Sequence, residues 1–426
     1  MGAGVLTSVD ETFHYRDGRL FCDDVSAEQL VAEFGTPLYV YSAKVIRERY
    51  LAFADAFAEL DPLIAYSVKA NGNLAVLRLL AELGAGADIV SGGELHRTRL
   101  AGIPADRIVF SGVGKTVTEM AAALDAGIHA FNVESEGELR ALSELAVTMG
   151  TVAPIALRVN PDVATATPHH YTATGHGQTK FGIPYSEAEA MYRKAAAMPG
   201  IRIRGVDLHI GSQILDTAPY ALAVARVLEL VERLRAAGID LEFMDVGGGF
   251  GISYDDQATL QPTDFAAAVT PLLRGTGLRA VFEPGRYITG PAGVLLTRVL
   301  YIKQMGGKTF VITDAGMNDL LRPSHYSSYH RVDPAALYED RERVHVDVVG
   351  PICESGDFLA LDRPIPRLEA GELVSIGTVG AYGFSMASTY NARPRPAEVL
   401  VTGAEHRLVR RRETLDDLVR GEVDPE

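Results

Sequence analysis

Two rhythms of apolar and polar positions run along this chain. From about residue 36 to 290, short apolar runs alternate with stretches whose apolar positions recur every three or four residues, so strands are predicted in alternation with helices. The strand candidates are Leu63 to Ser67, Ala87 to Val90, Arg107 to Phe110, His129 to Val133, Pro154 to Asn160, Arg204 to Ile210, Leu241 to Val246 and Leu278 to Glu283. Among the helices, Leu74-Ala75-Val76-Leu77-Arg78-Leu79-Leu80 follows Asn73, a residue able to cap the first turn, and stops at Gly84. Strands this apolar, each followed by a helix, belong to a parallel sheet covered on its faces. Eight such units predict a (β/α)8 TIM-type barrel with function on the loops at the carboxyl ends of the strands.

Beyond residue 295 the rhythm becomes β-rich. Leu295 to Lys303, Thr309 to Thr313, Val344 to Val349 and Glu372 to Ile376 are separated by Gly and Pro, and predict a second, antiparallel β domain. Phe13-His14-Tyr15 and Leu20-Phe21-Cys22 read as short strands of that same domain, and Thr414-Leu415-Asp416-Asp417-Leu418-Val419 as a short amphipathic helix. The expected division is a barrel over 36–290 and a β-rich domain over 1–35 and 291–426 that completes the active site.

Composition narrows the classes. With 426 residues, 47% hydrophobic and 22% charged, the chain can bury a large core in two domains. A net charge of -15 without a Lys/Arg-rich block argues against a nucleic-acid partner. No apolar run is long enough to span a bilayer. Met1-Gly2-Ala3-Gly4-Val5-Leu6 lacks a basic segment followed by an apolar one, and Leu6 spoils the myristoylation pattern. Cys22 and Cys353 are too few for a disulfide framework, so a reducing cytoplasm is expected, with one of them available as a working thiol.

The candidate chemistry gathers at predicted strand ends. Lys69, in Ala65-Tyr66-Ser67-Val68-Lys69-Ala70-Asn71, closes an apolar strand ahead of an Asn-Gly turn; a half-buried amine there can form a Schiff base with an aldehyde cofactor, although a snorkelling surface lysine has the same local pattern. Strand seven runs into Gly247-Gly248-Gly249, whose amides can converge on a phosphate, as loops after strands seven and eight of barrels do, or can simply make a turn. Strand eight ends in Glu283-Pro284-Gly285-Arg286, a carboxylate for a cationic nitrogen and a guanidinium for a carboxylate, or a rim ion pair. His209 in Leu208-His209-Ile210-Gly211-Ser212-Gln213 can stack on a flat cofactor or serve the core. Lysine, glycine loop, carboxylate and imidazole together are what pyridoxal 5'-phosphate requires, since its ring is held by its phosphate and kept cationic as an electron sink. No metal site is expected.

With these motifs in order, the chain resembles the barrel-type (fold type III) pyridoxal-phosphate-dependent decarboxylases, and among them the diaminopimelate decarboxylases. The resemblance also rests on Thr174-Gly175 with Lys180-Phe181-Gly182, on Met317-Asn318-Asp319-Leu320-Leu321-Arg322-Pro323, on Cys353-Glu354-Ser355-Gly356-Asp357 and on Gly380-Ala381-Tyr382; Ser67 and Thr389 differ mildly from the usual residues. It implies decarboxylation of meso-2,6-diaminopimelate to L-lysine and carbon dioxide, the last step of lysine biosynthesis. It also implies roles: Lys69 carrying the cofactor, Glu283 at the pyridine nitrogen, His209 on the ring, and Gly247, Gly248, Gly249, Gly285, Arg286 and Tyr382 around the cofactor. Cys353 would be the proton donor, reaching into the site of the other subunit of a homodimer with shared active sites.

Substrate choice turns on the distal pocket. Arg286 and Arg322 suit the distal carboxylate of diaminopimelate, with Tyr326 and Tyr382 adding hydroxyls and Glu354 available to the ammonium. Ornithine, arginine and carrier-bound relatives share the barrel, but a diamine-forming enzyme needs acid at that end. A racemase of the alanine type places an arginine at the pyridine nitrogen, which Glu283 opposes, and a non-catalytic relative is expected to lose Lys69 or Cys353, both of which are present.

Overall fold

The computed structural model describes residues 12–163, 180–255, 259–338 and 340–423. The chain divides into two compact units: Glu48–Ile252 with Thr259–Tyr287, and Met1–Arg47 with Ser253–Ala258 and Ile288–Glu426. Thr174-Gly175 and the stretch from Met1 to Leu6 lie outside the described residues.

The first unit is the barrel. Its strands are β1 (Leu63–Ser67), β2 (Gly86–Ile89), β3 (Ile108–Phe110), β4 (Ala130–Val133), β5 (Ala153–Asn160), β6 (Ile201–Asp207), β7 (Phe243–Asp245) and β8 (Arg279–Phe282). Each pairs in parallel with its neighbours in sequence, and β8 returns to β1 through Val281 opposite Leu63, so the sheet closes. Closure leaves these strands without an exposed edge. Leu63, Ala65, Val109, Ala130, Ala156, Phe243 and Val281 pack into one apolar cluster. Toward the carboxyl ends the strands turn polar: Ser67, Asp88, Asn132, Asp207 and Asp245 are all buried. The helix after β1 spans Leu74–Glu82, and its Asn73 cap accepts the Ala75 N–H at 2.9 Å, so the chain leaves β1 through a defined turn.

The second unit holds a sheet in the spatial order Phe358–Pro366, Arg343–Val349, Lys308–Thr313, Gly293–Met305, Leu38–Ser42, Ala397–Thr402 and Glu405–Arg410. Most pairings are antiparallel, as expected, but two are parallel: Lys308–Thr313 with Arg343–Val349, and Leu38–Ser42 with Ala397–Thr402. A parallel pair needs a long return of the chain, and both pairs have one. Leu38–Ser42, a strand absent from the sequence-based prediction, is buried at every position. A small sheet of Phe13–Arg16, Arg19–Cys22 and Val25–Ser26 and the helix Ala27–Phe34 share its core, where Leu20, Leu30, Val40, Val294 and Val399 meet. The terminal helix forms at Leu415–Val419 with Thr414 in a capping box.

Candidate active site

Lys69 sits in a 3-10 turn, Val68–Ala70, directly after β1. Its side chain is 36% exposed and its Nζ lies 3.0 Å from Asp88 Oδ2, one strand away. Asp88 also accepts the Ser67 hydroxyl at 2.6 Å, so two donors from the end of β1 converge on a carboxylate from β2. The register makes this contact inevitable, since Ser67 stands opposite Asp88.

Glu283 follows β8, the other neighbour of β1. Its backbone N–H donates to Gly247 O at 2.9 Å, and the Ser67 N–H donates to the next carbonyl, Pro284 O, at 3.2 Å. Gly285 is obligatory there, because a Cβ would come within 2.9 Å of Ser67 Cβ and 3.0 Å of Ala70 Cβ. The Glu283 carboxylate is buried and accepts the Ser111 hydroxyl at 3.2 Å. Burial raises its pKa well above the usual carboxylate range, and the charges of Asp245, Asp88 and Asp207 push the same way.

Gly247, Gly248 and Gly249 form a cradle that no other residue fits. A Cβ on Gly247 would strike Leu208 O, one on Gly248 would strike Glu283 O, and one on Gly249 would strike Gly211 O. Packing holds this loop in place: Phe250, next in sequence, lies 4.8 Å from Phe53 and 5.0 Å from Phe265 between ring centroids, and Tyr220 OH donates to Gly248 O at 2.7 Å. Such aromatic pairs contribute about 0.5–1.5 kcal/mol each beyond area burial.

His209 comes just past β6. The Gly248 N–H donates to its Nδ1 at 3.3 Å, which requires a ring unprotonated at that nitrogen. Burial, then the charges of Arg158 and Lys69, lower its pKa well below the ordinary value. Glu283 Oε2 lies 4.0 Å from the same Nδ1, but a neutral ring makes this proximity rather than an ion pair. Arg286 is buried and donates from Nη2 to Ser212 Oγ at 3.1 Å. Lys69, His209, the glycines, Glu283, Gly285 and Arg286 are therefore brought to one end of one barrel.

The remaining candidates belong to the β unit. Arg322 opens the helix Arg322–Tyr326 and is 5% exposed. Its Nε–H donates to His330 Nε2 at 3.3 Å, its Nη2 to Tyr254 OH and Ser328 Oγ at 3.2 Å each, and its guanidinium carbon lies 5.7 Å from the Tyr326 ring centre. Cys353 and Glu354 are exposed on a loop shaped by buried Asp357, which accepts the Met317 and Ile352 N–H groups at 2.6 Å. Tyr382 is half-buried with its backbone in the left-handed region, φ 57°.

Sequence reasoning missed Asp88, Ser111, Asn132, Asp207 and His330. A lone acid within an otherwise apolar strand, as in Gly86-Ala87-Asp88-Ile89, was the available signal for the first, since a buried charge needs a partner. Ser111 and Asn132 carry no local signal at all.

The residues fit the phosphorylated pyridine aldehyde on chemical grounds: an amine at β1, a side-chain-free cradle of amides after β7, and a buried acid after β8. Comparison with known proteins agrees. Residues 43–290 match the family described as "pyridoxal-dependent decarboxylase, pyridoxal binding domain". A diaminopimelate decarboxylase of Aquifex aeolicus is 49% identical over 421 residues, covering 99% of each chain. One of Pseudomonas aeruginosa is 49% identical over 97% of this chain and 99% of its own. The crystal structure of the Helicobacter pylori diaminopimelate decarboxylase complexed with L-lysine superposes with a TM-score of 0.89 at 43% identity, covering 92% of this chain and 98% of that one. A buried carboxylate and a glycine cradle beside a strand-end lysine, in a chain this close to those enzymes from end to end, place it in their family: the chain belongs to the diaminopimelate decarboxylases, within the pyridoxal-dependent decarboxylases.

Proposed function

We propose that this chain decarboxylates meso-2,6-diaminopimelate to L-lysine with pyridoxal 5'-phosphate held in the barrel end by Lys69, His209, Gly247, Gly248, Gly249, Glu283, Gly285 and Arg286. The observation that carries the reading is the placement of Lys69 and Glu283 just past the ends of adjacent strands of one closed barrel, beside the glycine cradle. When bound, the cofactor supplies an electron sink for the carbanion left by carbon dioxide.

The chain's own residues do the rest. Asp88, 3.0 Å from Lys69 Nζ, pairs with the ammonium and holds it at the end of β1. His209, neutral because Gly248 N–H occupies its Nδ1, presents a flat uncharged face to the ring. Glu283 offers its charge to the pyridine nitrogen. Arg286 and Arg322 receive the distal carboxylate, Tyr326 and Tyr382 add hydroxyls, Tyr382 also meeting the phosphate, and Glu354 takes the distal ammonium. Cys353 delivers a proton to the carbon that carried the lost carboxylate. Because Cys353 and Glu354 are exposed, a homodimer in which they enter the partner's site accounts for their position. Cys22 and Cys353 are both free thiols, in keeping with a reducing cytoplasm.

Two measurements test this reading. Borohydride reduction of the cofactor-loaded protein followed by peptide mass spectrometry should place the pyridoxyl label on Lys69. Carbon dioxide release should be faster from meso-diaminopimelate than from ornithine or arginine. A label on another lysine overturns the cofactor seat, and faster release from ornithine overturns the substrate.

A further inference from the structure

The barrel interior beneath the candidate cofactor seat holds more acid than one cationic nitrogen requires. Asp207 at the end of β6, Asp245 at the end of β7 and Glu283 after β8 are 1%, 0% and 4% exposed, and one oxygen from each lies within 4.8 Å of the others. Asp207 and Asp245 are register partners on adjacent strands, so their approach is built into the sheet. Around them stand Asp88 from β2, Ser111 after β3, Asn132 from β4, and Arg158 from β5 with Glu134 after β4. Lys69 and His209 face the same region. The nearby cations have carboxylates of their own: Lys69 pairs with Asp88, and Arg158 Nη1 lies 3.3 Å from Glu134. Three ionised carboxylates this close in a dry interior repel one another too strongly to persist, so at least one carries a proton.

The hydrogen bonds say which. Asp245 accepts the Gly247 N–H at 3.0 Å on Oδ1 and the Asn132 amide at 3.3 Å on Oδ2, both of which favour its anion. Glu283 accepts the Ser111 hydroxyl at 3.2 Å and the Asn132 amide at 3.5 Å. Asp207 Oδ1 is buried with no hydrogen-bond partner, the surroundings of a neutral acid. We propose that Asp207, Asp245 and Glu283 form a proton-sharing triad, in which Asp207 holds one proton and the negative charges of Asp245 and Glu283 act together on the ring nitrogen of the cofactor. Asp207 and Asp245 are then positioning residues: Asp207 keeps the proton off Glu283, and Asp245 adds a second negative charge behind it. Burial and the neighbouring acids push both the Asp207 and the Glu283 carboxyls well up, so it is the hydrogen bonding that places the proton on Asp207. Burial moves Asp245 only to about 6, because the Gly247 N–H holds it down.

The charge arrangement is independent of the cofactor reading, whereas its action on the ring nitrogen rests on that reading. The full chain is compared with Asp207→Asn and Asp245→Asn by infrared spectroscopy of the protonated-carboxyl C=O stretch at neutral pH. Binding of pyridoxal 5'-phosphate is measured beside that of its analogue with C–H in place of the ring nitrogen. Glu94 and Asp319, each pushed up to about 7, also carry protonated carboxyl at neutral pH, so the spectra are read as differences: the parent should hold a buried protonated-carboxyl component that Asp207→Asn removes and Asp245→Asn retains. Preference for the nitrogen-containing ring should survive Asp207→Asn, which exchanges a neutral group for a neutral one. It should fall about tenfold in Asp245→Asn, the equivalent of one pKa unit at the nitrogen. A protonated-carboxyl spectrum unchanged by Asp207→Asn, or a preference lost in Asp207→Asn and kept in Asp245→Asn, overturns the proposal, as does a stoichiometric divalent cation in the purified protein. Should a variant fail to fold, the parent alone decides the charge arrangement: absence of any protonated-carboxyl band between pH 5 and 8 overturns it. Binding of neither compound by the parent overturns the cofactor reading and the action on the nitrogen with it, while the infrared result judges the triad by itself.

Discussion

Glu283 and Cys353 were both picked out as members of short motifs, yet their surroundings are opposite. Glu283 is buried among Ser111, Asn132, Asp207 and Asp245, with its own backbone tied to the glycine loop and its neighbour Pro284 tied to β1. Cys353 stands exposed beside exposed Glu354 and Ser355, its N–H donated to Asn391 Oδ1 at 2.8 Å. The barrel residues are held in place before any ligand arrives, which is what stabilising a developing charge demands. The Cys353 loop is firmly built by Asp357 and yet presents its thiol outward, the arrangement expected of a group that works on another copy of the chain. The preorganised acid thus belongs to the barrel unit, and the exposed thiol to the β unit.

The sharpest way to break this contrast is to mix variants. Cys353→Ala should slow turnover about 10²–10⁴-fold, the usual worth of a positioned proton donor, while leaving the cofactor spectrum intact. Mixed with Lys69→Ala, it should recover about a quarter of parental activity, because half of randomly paired homodimers carry one intact shared site of two. No recovery after subunit exchange means that each thiol serves its own chain.

Arg322 tests the β unit from within. His330, Tyr254 and Ser328 orient the guanidinium, so Arg322→Met should remove a charge-assisted bond worth on the order of 2–5 kcal/mol of transition-state binding. Catalytic efficiency on meso-diaminopimelate should fall at least about a hundredfold near the middle of that range, while lysine, which lacks the distal carboxylate, stays equally poor. Proportional loss on both compounds would make Arg322 a scaffold residue and move specificity elsewhere.

A smaller effect is expected in the barrel unit from Gly248→Ala. The added Cβ meets the Glu283 carbonyl, and overpacking against backbone costs about 1–3 kcal/mol. Cofactor affinity measured by fluorescence titration should therefore weaken roughly five- to 150-fold with the barrel still folded. Unchanged affinity would show that the loop yields, and that this half of the site is less rigid than its packing implies.

Much of the fold was legible because its signals are local. Leu63 to Ser67 is a strand over the predicted residues, Asn73 caps the next helix, and Thr414 caps the last one. Where prediction slipped, longer-range forces decided. The sixth strand was expected over Arg204 to Ile210 but runs Ile201–Asp207, with an irregularity between Ile203 and Gly205, and the chain leaves the sheet at Leu208 so that His209 reaches Gly248. Leu38–Ser42 went unrecognised because its ladders are to Gly293–Met305 and Ala397–Thr402, far along the chain.

By itself the sequence determined the barrel's alternating strands and helices, the β-rich remainder, and the amine, glycine run, glutamate and thiol of the candidate site. Those are properties of residue order over a few positions, where periodicity, caps and turn chemistry act. Only the tertiary structure decided that Asp88 meets Lys69, that Asp207 and Asp245 crowd Glu283, and that His330 receives Arg322. The acids come from strands that closure and register bring side by side, and His330 reaches Arg322 through the turn that ends its helix. Whether a lone acid or histidine ends up neutral, paired or crowded depends on those neighbours, and no local pattern carries that information.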